Sequence, residues 1–210
     1  MKGKLIVLMG IDGSGKTTLL KNLEKYYNHN QNFKFITIFK KSRYTRELEK
    51  AAMSENKKVK ECFSKELRNL AWRADIIDNM SRYVIPELEM GNIVILDRYV
   101  LCNRVIHHVK NKNREEIDKI LEVLPKPDFG IYLDVEVETA LERINSREKK
   151  KDDYENKENL LQLKQLYKKL IKNEGYNIIT INANLPEEKV LKKTIDDIGK
   201  IINKEKEFEV

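Results

Sequence analysis

Short, nearly unbroken apolar runs that stop at a turn signal recur along the chain. Lys4 to Met9, Phe33 to Phe39, Ile93 to Asp97, Phe129 to Val135 and Tyr176 to Ile181 read as strands. Between them, apolar residues return at helical spacing. Leu19, Leu20, Leu23, Tyr26 and Tyr27 mark a helix from Lys16 to Asn28. Leu67, Leu70, Ala74 and Ile77, with Val84 further on, follow a Ser64 that can cap a long helix. Ala140, Leu141 and Ile144 mark another helix, and Leu160 to Ile171 the next. Val190, Thr194, Ile198 and Ile201 form one side of a closing helix whose first turn suits Pro186. Residues 40–60 are polar and basic and are expected to be loop and short helix. "NSREKKKDDYENKE", residues 145–158, is a charge-rich interruption, and "KEKEFEV" is expected to fray.

Strands alternating with helices predict an α/β fold with a parallel sheet of about five strands, covered by helices on both faces in three layers. Right-handed crossovers then bring Gly10, Phe39, Asp97 and Val135 to one edge, the C-terminal ends of their strands. The chain of 210 residues is long enough for one sizeable core and is expected to be a single domain, 1–210, without internal repeats.

Charge alters this picture little. The formal net charge is +7, with lysine and glutamate interleaved over the helical segments, as on a solvated surface. The excess also suits anionic ligands, and no compact arginine–aromatic pattern favours nucleic acid. Cys62 and Cys102 are far apart, and no Cys/His cluster points to zinc. The adjacent His107 and His108 read as surface or lining residues. With no signal peptide or long apolar span, the cytoplasm is the expected compartment and no membrane partner is expected.

The chemistry concentrates at the predicted edge. "MGIDGSGKTT", residues 9–18, follows the first strand and contains G-x-x-x-x-G-K-[ST], the P-loop pattern. Its backbone N–H groups from Gly13 to Thr17 can cradle the phosphates of ATP at the positive end of a helix, and the ATP-binding candidates are Gly10, Asp12, Gly13, Ser14, Gly15, Lys16, Thr17 and Thr18. Lys16 can reach the β- and γ-phosphates and Thr17 can ligate Mg2+. Asp97 suits the second acid of such a site. Arg98 can bind a second phosphate, because its guanidinium holds two oxygens at once. Arg143 and Arg147, four apart on one helical face, begin a basic lid of about residues 143–158 that could close on the phosphoryl group.

"GIDGSGKTT", "NLAWRADIIDNMSRYVIPELEMGNIVILDRY", "KPDFGIYLDVEVETALERI" and "DDYE", in this order, resemble the thymidylate kinases among the P-loop nucleoside monophosphate kinases. The resemblance spans nearly the whole chain and implies the three-layer α/β/α P-loop NTPase fold. It implies transfer of the γ-phosphoryl of ATP to a nucleoside monophosphate, dTMP to dTDP. It implies that Asp12 contacts the deoxyribose 3′-hydroxyl, Arg98 the acceptor phosphate and Arg73 the base side. Arg43 or Arg46, in "KKSRYTR", would add to the acceptor-phosphate site, and Tyr154 would lie near the thymidine. Arg143 and Arg147 would supply the lid cation. The family's thymine-stacking aromatic falls at Asn69, with Trp72 nearby. The family also commonly dimerises through helices that include the one after residue 64, so a homodimer is expected. The face carrying Leu67 could serve either that contact or the core.

The residues leave other readings open. A monophosphate acceptor is already largely anionic near neutral pH and needs no general base. A nucleoside hydroxyl needs a carboxylate nearby. Related deoxynucleoside kinases carry a glutamate just after the second strand, where this chain has Lys40-Lys41 and reaches Glu47 only later. The alternatives are a deoxynucleoside kinase, a P-loop kinase of another small substrate and a nucleotide-binding regulator without kinase activity. A regulator need not keep acceptor-side groups such as Asp97-Arg98.

Overall fold

The computed structural model describes residues 3–37, 42–102, 104–105, 122–147, 155–173 and 177–206. β1 (Lys4–Met9) is the central strand of a five-stranded sheet. β3 (Ile93–Asp97) lies on one side of it and β4 (Phe129–Asp134) on the other. β2 (Phe33–Ile36) and β5 (Ile178–Asn182) form the edges, giving the order β2-β3-β1-β4-β5 with every pair parallel. Leu5 to Met9, Val94 to Leu96 and Ile131 to Leu133 are buried, as expected of strands covered on both faces. The register pairs Leu8 with Asp97, so β3 ends beside the end of β1, and pairs Leu8 with Ile131, so β4 runs on past both to Asp134. Asp128 locks the other end of β1, its carboxylate accepting the Leu5 N–H at 2.8 Å.

The helices are α1 (Lys16–Tyr26), α2 (Tyr44–Ser54), α3 (Val59–Cys62), α4 (Lys65–Asn79) and α5 (Ile85–Glu89), then α6 (Val137–Asn145), α7 (Lys157–Asn173) and α8 (Glu187–Lys206). Residues 100–102 and 104–105 are also helical. Ser64 caps α4 by accepting the Leu67 N–H at 3.2 Å. Between α4 and α5 the backbone widens into a π-turn, Met80–Val84, where the Ile85 N–H reaches the Met80 carbonyl five residues back. Pro86 supplies the cause, since without an N–H it cannot continue the i→i−4 ladder.

One expectation needs correction, and one left open is decided. α2 runs through eleven residues of a segment expected to be loop and short helix. Its only buried residue is Ala52, so no apolar face announces it. In α4 the buried side is Ala71, Asp75, Ile76 and Asn79, continuing to Met80 and Val84. The Leu67 face does not belong to the core, since Leu67 is 42% and Leu70 52% exposed. Smaller differences lie at element ends: α1 stops at Tyr26, β5 starts at Ile178, and Phe39 lies outside the described residues. The buried stripe Val190, Thr194, Ile198 and Ile201 agrees with the spacing.

Candidate active site

The loop between β1 and α1 folds as its glycines require. Gly15 caps α1 at φ 91° and Gly13 turns at φ 79°, in the left-handed region that glycine enters without steric cost. A Cβ at Gly13 would also collide with the carbonyl oxygen of Ala140, so the loop lies directly on α6. α1 therefore presents its unpaired N–H groups to a cleft of about 440 Å³. Asp12, Lys16, Thr17, Asp97, Arg98 and Arg147 line it.

Lys16 is 5% exposed and its ammonium lies along its own loop. Nζ donates to the carbonyls of Gly10 at 3.0 Å and Ile11 at 2.7 Å and to Ser14 Oγ at 3.2 Å. Burial, then the neighbouring Arg98 charge, push its pKa down to about 8. Arg98 pairs with the Asp12 carboxylate across the tops of β3 and β1. Burial disfavours the charge on both, yet the pairing prevails: Asp12 stays below the usual carboxylate value, and Arg98 is held firmly cationic. Arg98 has φ 70°, a conformation costing a non-glycine residue about 1–2 kcal/mol. Its N–H bonds the Leu8 carbonyl at 3.1 Å, fixing the turn to β1.

Thr17 donates its hydroxyl to Asp97 Oδ2 at 3.1 Å. Asp97 Oδ1 is buried with no hydrogen-bond partner among the described residues. A hydroxyl and a carboxylate with an unused oxygen are the hard donors that Mg2+ prefers, so the pair fits that ion. Across the cleft, Arg143 bonds the carbonyls of Gly13 at 3.4 Å and Ala183 at 3.0 Å, linking α6, the phosphate loop and the end of β5. Arg147 pairs with Glu155 across the expected lid. Helix continues to Asn145 and resumes at Lys157, so the lid's ends are helical.

Not every expected residue joins this cleft. Arg43 and Arg46 are exposed at the start of α2, and neither they nor Arg73 are among its lining residues. Arg73 is half-buried on α4, its Nε without a hydrogen-bond partner among the described residues. Tyr154, His107 and His108 lie outside the described residues. Two residues were missed. Glu155 gave no sign within a charge-rich run. Asp75 is an acid on the buried side of α4, a side that the apolar spacing alone did not single out.

Comparison with known proteins agrees with this geometry. The family model described as thymidylate kinase matches residues 8–194. A protein of Saccharolobus solfataricus named probable thymidylate kinase 2 is 30% identical, over 96% of either chain. A probable thymidylate kinase of Methanococcus aeolicus is 32% identical, over 92% of this chain and 96% of its own. The solved thymidylate kinase of Candida albicans shares the fold, with a TM-score of 0.70 over 96% of this chain and 93% of that one at 21% identity. On the family match and these relatives, the chain belongs to the thymidylate kinase family and is an ATP-dependent phosphotransferase.

Proposed function

We propose how this cleft carries out phosphorylation of dTMP by ATP, the reaction that family membership assigns to the chain. One observation carries the proposal: Lys16 and Arg98, on loops from adjacent strands, open onto the same cleft. ATP lays its phosphates on the N–H groups from Gly13 to Thr18, and Lys16 exchanges its loop carbonyls for phosphate oxygens. Thr17 and Asp97 would hold Mg2+, which would supply neutralisation of phosphate charge. Arg98 leaves Asp12 to take the acceptor phosphate, and Asp12 turns to the deoxyribose 3′-hydroxyl. Arg43 and Arg73 approach from the α2–α4 side, with Tyr154 near the thymidine. Arg143 and Arg147 neutralise charge that spreads onto the transferring group. The acceptor oxygen arrives anionic, so catalysis rests on alignment and charge and needs no base.

One domain carries both substrate sites. The exposed Leu67 and Leu70 on α4 support a homodimer through that face. No helix among the described residues is long and apolar enough to cross a membrane, and the cytoplasm is the compartment we assign. An acceptor screen tests the reading. ADP release from ATP and Mg2+ is followed with each common monophosphate and nucleoside, expecting turnover with dTMP above the rest. Turnover with thymidine but not dTMP, or ATP consumption indifferent to the acceptor, overturns it.

A further inference from the structure

A buried carboxylate on α4 holds the start of α2, and nothing in the phosphoryl-transfer scheme uses it. Asp75 is 4% exposed. Its Oδ1 accepts the N–H of Arg43 at 2.6 Å and of Tyr44 at 2.8 Å. Its Oδ2 accepts the Thr45 N–H at 3.0 Å and the Thr45 hydroxyl. These are the first N–H groups of α2, which a helix cannot satisfy internally. The N-cap residue is Arg43, whose side chain makes no cap hydrogen bond. The cap is thus supplied from another helix, about thirty residues on in the chain. A buried carboxylate is tolerated only where several donors surround it, and the positive end of α2 provides them. Asn79 donates to the Asp75 carbonyl at 2.6 Å one turn further along α4.

The geometry points to Asp75 as the positioning residue of the acceptor-phosphate site, acting by fixing the Arg43 backbone. α4 continues through the π-turn and α5 into β3, which ends in Asp97-Arg98. Asp75 therefore attaches the Arg43 segment to the scaffold that carries Arg98. Two cations meant for one phosphate gain from a common rigid base, because small displacements of a positioned group cost much of its effect. This inference rests on the reading that Arg43 contacts the acceptor phosphate.

The test uses the full chain with Asp75→Ala, Asp75→Asn, Arg43→Ala and the double variant Arg43→Ala/Asp75→Ala. ADP formation is measured with dTMP varied at saturating ATP, then the reverse, alongside the melting temperature of each protein. Asp75→Ala is expected to raise the KM for dTMP on the order of tenfold while the KM for ATP changes less than about twofold. Asp75→Asn, which keeps one acceptor oxygen, should restore part of the loss. Should Asp75→Ala fail to fold, Asp75→Asn and Thr45→Val carry the same comparison, each raising the KM for dTMP selectively. In the Arg43→Ala background, Asp75→Ala should add little, since the group it positions is gone. Full additivity, an Arg43→Ala variant with unchanged KM for dTMP, or equal loss for both substrates overturns the inference. A wild type that phosphorylates no monophosphate instead overturns the reading beneath it.

Discussion

Lys16 shows how much one side chain depends on its setting. Its three N–H bonds go to its own loop, and burial, then the Arg98 charge, push its pKa down to about 8. Bound triphosphate favours the charged ammonium and raises that pKa. Binding above about pH 8 must therefore take up a proton, whereas below it Lys16 is already charged. ATP affinity is accordingly expected to fall above pH 8, by at most about tenfold per pH unit, with no contribution from this group below it. Calorimetric titration at pH 7 and pH 9, in buffers of different ionisation enthalpy, reads the uptake directly. Equal proton uptake in Lys16→Met would assign it elsewhere. The glycine-rich loop and its place at the start of α1 were legible because their spacing encodes a local backbone shape. Asp75 was not, because its partners are remote in sequence and its value exists only once α2 and α4 meet.

At the scale of elements, contact joins the glycine-rich loop to α6, the helix that carries Arg143, and on the proposed reading would tie ATP binding to that helix. Gly13→Ala would force a left-handed alanine against the Ala140 carbonyl. We expect a loss of roughly 1–3 kcal/mol in stability and a raised KM for ATP, measured by thermal melting and steady-state kinetics. A melting temperature matching the wild type would show that loop and helix part without cost. The three central strands were legible from sequence because they are buried on both faces and read as apolar runs, whereas the edge strands β2 and β5 are only partly covered and β5 was placed less well at its start. The spacing along α4 left open which side is the core, and the buried side is Ala71, Asp75, Ile76 and Asn79. Its outward Leu67 and Leu70 mimic a core stripe, while its inward face carries Asp75 and Asn79. The π-turn adds to the difficulty, since one extra residue rotates α4 by about 100° relative to α5.

Across the whole molecule, alternation of element types was enough to give a parallel sheet with its functional edge at the strand ends. Subunit contacts are harder to read, because a patch facing a second copy and a patch facing the core carry the same residues. For the proposed homodimer, Leu70→Glu is expected to shift the sedimentation coefficient to that of a monomer, with melting temperature little changed because the residue is half exposed. A wild type already monomeric at micromolar concentration would refute the dimer. The crossing of the sheet's two central turns has another effect. With Asp12 seated on Arg98, the pocket contains an internal carboxylate where a phosphate is proposed to bind. A stray inorganic anion must evict that carboxylate and offers it nothing in return. On the roles proposed for Arg98 and Asp12, a molecule bearing both a phosphate and a hydroxyl at the right separation would satisfy the two groups together, and the pair would screen visitors before any base is read.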